Sequence, residues 1–163
     1  MRYLILGVLG LCVAAPVRAQ TVDPQVVAPI TKFIDAFNKG DMAGAAATHA
    51  SGADLVIIDE VAPFVWRGAQ ALKTWAADLE ADAKKKGITN QKVTLKPATR
   101  AETTGSDAYV VVPAVYSFSE GGVAKTESAH MAVVLKKGAT GWLIHGWTWT
   151  GPTAPKVTGT AKK

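Results

Sequence analysis

Two acids interrupt the otherwise apolar run "LVIIDEVAPFVW", Leu55 to Trp66: Asp59 and Glu60. A buried carboxylate must be paired, hydrogen-bonded or protonated, because stripping its charge of water is costly. Asp59 therefore has two readings. It is a strand-end acid, hydrogen-bonded or solvated, or it faces a cavity that uses it as an acid or base. Glu60, adjacent in an extended segment, points the other way and is expected in solvent. Tyr116 is the next group able to do chemistry; its hydroxyl can meet a ligand or sit at a sheet edge. His49, His130 and His145 lack metal-ligand spacing, so neither a metal nor another cofactor is expected. The chain has no evident nucleophile or phosphate-loop motif. The chemistry left open is proton transfer by a single carboxylate, Asp59.

The elements that must position these groups follow from periodicity. Asp23-Pro24 is a cap and a first-turn proline. Val26, Val27, Ile30, Phe33, Ile34 and Phe37 then recur at helical spacing, predicting a helix from Pro24 to Lys39 that Gly40 stops. Asp41 caps a short alanine-rich helix reaching about His49. Asp54 to Asp59 is a first strand, and "VW" after the turn a brief second one. A third helix runs from about Ala69 to Lys86, with Leu72, Trp75, Leu79 and Ala83 on its apolar face and Gly87 at its end. Beyond Gly87 the pattern alternates: "QKVTLKPATRAE", bent at Pro97, then "AYVVVPAVYSF", "AKTESAHMAVVL" and "WLIHGWTWT". Helices followed by a strand meander predict an α+β fold, with helices on one face of an antiparallel sheet.

A two-residue turn at Gly121-Gly122 pairs Glu120 with Val123 and Tyr116 with Glu127. It also pairs Ala114 with Ala129 and Val112 with Met131. Pairing Leu135 with Trp142 would continue the inward face through Ile144, Gly146 and Thr148. His130, His145, Trp147 and Trp149 then form an outer patch too apolar to leave bare, suited to a homodimer interface. A one-residue slip would reverse these faces.

The chain ends bound the rest. "MRYLILGVLGLCVAAPVRA" has a basic start, an apolar run and small residues before Ala19, the pattern of a cleaved signal peptide. The run is short of the roughly 18 residues that span a bilayer. The expected organisation is a signal peptide over 1–19, one domain over 20–151 and a disordered tail over 152–163. The mature protein would be periplasmic or secreted and would leave the membrane after cleavage. Cleavage removes the only cysteine, Cys12, so no internal disulfide can form. Losing Arg2 and Arg18 lowers the net charge from +5 to +3. "KKK" at 84–86 suits a helix C-terminus, and no basic-aromatic interleaving suggests nucleic acid.

"FIDAFNKGDMAGAAATHASGADLVIIDE", "WRGAQALKTW" and "GWLIHGWTW" together resemble the nuclear transport factor 2-like superfamily, closest to its SnoaL-like and ketosteroid-isomerase-like branches. The likeness covers about Val26 to Thr150. It implies a cystatin-like α+β roll: a cone-shaped curved antiparallel sheet wrapped by three N-terminal helices, its pocket at the open end. Members often pair through the outer sheet face, and many act on or bind small apolar molecules. The resemblance places the steroid isomerases' catalytic base at Asp59. Their phenol donor falls on Phe33 and their protonated-acid donor on Ala129, neither of which can donate, and a supporting tyrosine becomes Ala76. The base is kept and the oxyanion donors are not, which argues against steroid isomerisation by that machinery. The expected pocket for a small apolar molecule is lined by Phe33, Phe37, Trp75, Val112, Tyr116, Ala129 and Met131, with Asp59 in its wall. The alternative is a non-catalytic dimeric module that works through the outer sheet face.

Overall fold

Two helices, a short hairpin and a third helix precede six further strands, and the eight strands form one sheet, in a computed structural model that describes residues 23–159. The expected signal segment, residues 1–19, lies outside the described residues. Helix α1 spans Pro24–Lys39; Asp23 caps it by accepting from the Gln25 N–H, and Gly40 closes it in the left-handed conformation. Helix α2, Met42–Ala47, is capped by the Asp41 side chain through the Gly44 N–H. Strands β1, Val56–Ile58, and β2, Val65–Arg67, form a short hairpin. Helix α3 spans Ala71–Lys86 and ends at left-handed Gly87 after three lysines that complement the helix dipole. No helix among the described residues is long and apolar enough to cross a membrane.

The remaining strands are β3, Ile88–Leu95; β4, Arg100–Thr104; β5, Asp107–Glu120; β6, Val123–Gly138; β7, Gly141–Thr150; and β8, Lys156–Val157. The sheet order is β2-β1-β7-β6-β5-β3, with β4 also on β5 and β8 on β6. The segment bent at Pro97 is two strands, β3 and β4. Pro113, which has no N–H to give, lies opposite the break between them, where the Lys96 N–H reaches its carbonyl. The β5–β6 register is the one the Gly121-Gly122 turn requires, from Glu120↔Val123 through Tyr116↔Glu127 to Val112↔Met131.

Three expectations are corrected. The sheet is mixed, because β1 runs parallel to β7, with Ile57 opposite Trp147. Gly146 allows this approach: a Cβ there would stand 2.9 Å from the Val56 carbonyl oxygen. The β6–β7 pairing carries a bulge between Val134 and Leu135, so Leu135 pairs with Ile144 and Val133 with Trp147. The extra residue, His145, reverses the alternation beyond it. Trp147 and Trp149 therefore turn to the helix side, and only His130 and His145 of the four proposed interface residues stay on the outer face. Finally, the tail expected to lack structure contributes β8, held by Lys125↔Val157 and by the Thr158 N–H to the Ala124 carbonyl.

The core fills the concave side. Val26, Ile30 and Phe33 of α1 meet Val110, Val112, Met131, Val133, Leu135 and Ile144 from the sheet, all essentially inaccessible to water. α3 packs on β1, β2 and β3, and Trp66 fastens it by donating to Asp78 Oδ2 at 2.7 Å.

Candidate functional site

Asp59 follows β1 directly, and the parallel pairing with β7 carries it to the open end of the cone. Its Oδ2 accepts from Trp75 Nε1 at 2.6 Å and its Oδ1 from the Glu60 N–H at 2.6 Å. Burial pushes its carboxyl above the usual range; the two hydrogen bonds pull it back, and the charge of Glu60 adds to the rise. Glu60 is exposed, as expected, and accepts from the Gly151 N–H at 2.5 Å.

A cavity of about 320 Å³ opens beside this acid. Asp59, Val61, Leu79, Tyr116, Phe118, Glu127 and Trp149 line it, with charged side chains and Pro155 toward its mouth. Glu127 is 6% exposed, and its Oε1 accepts from Trp149 Nε1 at 2.9 Å. Burial raises its carboxyl too; the Trp149 bond opposes the shift, and the charges of Glu60 and Asp59 reinforce it. The Tyr116 hydroxyl donates to Gln91 Oε1 at 2.6 Å, with its pKa raised by burial and then by Glu127, Asp59 and Asp82. Gln91 is free to do so because β3 bulges between Thr89 and Lys92, with Asn90 at a left-handed φ of 54°. Asn is among the few non-glycine types that adopt that conformation readily.

The deep end of the cone is closed. Phe33, Phe37, Trp75, Met131, Trp147 and Trp149 surround a void of only about 30 Å³. Phe33 lies edge-on to His49, 4.7 Å between ring centres, and Trp147 meets Trp75 edge-on at 5.0 Å. Val112 and Ala129 are packed in the core. Of the residues expected to line a pocket, Asp59 and Tyr116 reach the mouth cavity, and Trp75 joins them through its bond to Asp59. The others build the floor. A second depression, an open groove of about 1040 Å³, lies between α3 and α1–α2, and its walls include Phe37, Trp75 and many alanines. It is the larger hollow, but Asp59, Tyr116 and Glu127, the groups able to do chemistry, line the smaller one.

Behind the floor, His49 is 6% exposed. Its Nε2 accepts from Trp147 Nε1 at 3.1 Å, which leaves the ring proton on Nδ1, 2.9 Å from the Ala45 carbonyl. Burial lowers its pKa to about 4, against the raising effect of the Ala45 carbonyl. His49 is thus a neutral structural brace, and among the described residues no acid or histidine group is arranged to hold a metal.

Sequence reasoning did not select Glu127 as a site residue. The hairpin register held the signal, since it sets Glu127 opposite Tyr116 and two residues from inward Ala129. Trp149 was missed because the bulge at His145 leaves no mark in the hydrophobic pattern.

This arrangement can bind a small molecule between aromatic walls and move a proton through one of two carboxyls. The SnoaL-like domain family matches residues 26–147. No curated protein matches the chain. Among solved structures, a ketosteroid isomerase-like protein from Erwinia carotovora atroseptica is similar with a TM-score of 0.59 and 19% identity, over 78% of this chain and 94% of that one. A nuclear transport factor 2-like superfamily protein from Salmonella enterica gives 0.65 and 16%, over 79% and 89%. A cystatin-like-fold protein of unknown function from Nostoc punctiforme gives 0.60 and 13%, over 80% and 90%. Identities this low carry the fold alone. The family match across most of the domain establishes that the chain belongs to the SnoaL-like domain family.

Proposed function

We propose that the protein binds a small organic molecule in the mouth cavity and catalyses a proton transfer on it, with Asp59 as the base, in an isomerase-, lyase- or cyclase-type reaction. The observation that carries this reading is the shared cavity: Asp59 and Glu127 line one hollow with apolar and aromatic walls. A carboxylate whose pKa burial raises is a stronger base, which suits proton abstraction. Oxyanion donors at Phe33 and Ala129 are absent, and both positions are core. Polarising groups for a substrate must therefore come from the mouth, where Tyr116 and Glu127 stand. We also propose that residues 1–19 direct export and that the domain works in the periplasm or outside the cell. Mass spectrometry of small molecules carried through purification tests the binding reading. The expected result is a stoichiometric compound that Asp59→Trp, which fills the cavity, no longer retains; a wild-type protein that never retains or binds a compound overturns it.

A second reading concerns the outer sheet face. Tyr109, Val134, Ile58 and Val65 are exposed there by 38–47%, and His145 Nδ1 is buried beside them with no hydrogen-bond partner among the described residues. An apolar face with an unmet polar atom suits a self-association surface. Val134→Arg is expected to give a folded monomer in sedimentation where the parent protein is a dimer; a parent that sediments as a monomer rejects this surface.

A further inference from the structure

The mouth cavity has an unbalanced charge. Seven charged side chains line it: Asp59, Glu60, Asp82, Glu120 and Glu127 against Lys86 and Lys125. Both cations are already engaged. Lys86 pairs with Asp82 at 2.7 Å, one turn apart on α3, and Lys125 pairs with Glu120. Among the described residues, Asp59, Glu60 and Glu127 are left with hydrogen-bond donors but no counter-charge.

Two of these converge on one point. Glu60 Oε1 takes the Gly151 N–H, and a Cβ on Gly151 would collide with both Glu60 Oε1 and Glu127 Oε1. A side chain at this position would force both carboxylates to shift. Glu127 itself is 94% buried by its 6% exposure, yet among the described residues no donor reaches its Oε2. That oxygen keeps an open face, and the hollow Glu127 lines is the cavity. A nearly buried carboxylate with one committed and one open oxygen is a half-built ion pair. The aromatic walls supply the complement. Trp149 and Tyr116 stand edge to face, 6.5 Å apart with planes at 85°, and Phe118 stacks on Tyr116 at 4.7 Å. Ring faces with carboxylates nearby attract a cation and disfavour an anion.

We propose that the ligand of this cavity is an organic cation, a protonated amine or quaternary ammonium with an apolar body, seated against Glu127 with Asp59 and Glu60 around it. This rests on the reading of the mouth cavity as the ligand site and adds the charge of what it takes. A carboxylate ligand would meet three uncompensated acids and is excluded.

The test uses three compounds of one shape: choline, its neutral carbon isostere 3,3-dimethylbutan-1-ol, and anionic 3,3-dimethylbutanoate. Binding is followed by NMR through the indole N–H of Trp149, at low salt and near pH 7.5. Choline is expected to bind at least about tenfold more tightly than the alcohol, the scale of one desolvated cation–π and ion-pair contact, and the anion not at all. Glu127→Gln, nearly isosteric and relieved of a buried charge, is expected to erase the preference by bringing choline's affinity down to that of the alcohol. Glu60→Gln, at an exposed position, gives a smaller loss and a second variant if the first does not fold. Equal binding of choline and alcohol overturns the charge assignment and leaves the cavity reading intact. Perturbation by none of the three, with no compound retained on purification, overturns both.

Discussion

Asp59→Asn slows turnover of the retained molecule by about 10²- to 10⁴-fold, the usual contribution of a positioned general base. The variant is expected to remain folded. The asparagine carbonyl can still accept from Trp75 Nε1, while the amide loses the acceptor that Asp59 offers to the Glu60 N–H. That lost bond costs about 1 kcal/mol. Removing a charge held in a partly buried setting offsets it, since burial is the largest influence on the Asp59 carboxyl. The two readings of this acid thus separate cleanly. A base loses turnover and keeps its melting temperature. A structural acid keeps turnover and loses stability. Single-turnover kinetics on the compound found by mass spectrometry, paired with a thermal melt, distinguishes them.

Acid sensitivity through His49 is the second large effect. Its pKa falls from 6.5 to about 4 on folding, so the unfolded chain takes up this proton first as pH drops. Stability from the neutral imidazole is complete above about pH 6.5, declines as pH falls and levels off below about pH 4. The full span is about 3 kcal/mol, of which about 2 kcal/mol is lost between pH 7 and pH 5. Asp59 and Glu127 act in the opposite sense. Their carboxyls are raised in the folded state, so the native protein takes up their protons first and gains stability as pH falls through those values toward the unfolded ones. Denaturant titrations across this range should therefore show a wild-type loss that the carboxyls partly offset. His49→Gln, which can still accept from Trp147, should show no loss or a small gain on acidification. A wild-type slope that survives in this variant would assign the sensitivity elsewhere.

The legible part of this structure was local. Asp23-Pro24, Gly40 and Gly87 mark helix ends because caps and left-handed stops are chemical requirements of single residues. The Gly121-Gly122 turn determined fourteen consecutive pairs between β5 and β6, because a tight turn leaves one register open. What could not be read depended on partners distant in sequence. The extra residue at His145 is decided by how β7 must curve to pair with β6 on one side and β1 on the other, and no alternation of Trp and Thr reports that. Trp147 and Trp149 were assigned outward for this reason, and the floor of the cone was left hollow. Phe33 and Met131 then looked like pocket walls. With two indoles turned inward, they are packing. Asp59 is placed by the β1–β7 pairing, whereas Glu127 follows from the hairpin register alone, which sets it opposite Tyr116 on the face of Ala129.

The parallel seam between β1 and β7 has a consequence for the order of assembly. Ile57 waits for Trp147, roughly ninety residues downstream, and at ordinary rates of synthesis that interval lasts several seconds. Until the final long strand emerges, the segment bearing Asp59 has only β2 and α3 beside it, and the seam that carries the acid to the cavity is missing. Distant pairings of this kind form late. The chemistry of this domain is therefore a property of the finished polypeptide: a chain broken off before residue 147 could keep its helices and its longest hairpin and still possess no site.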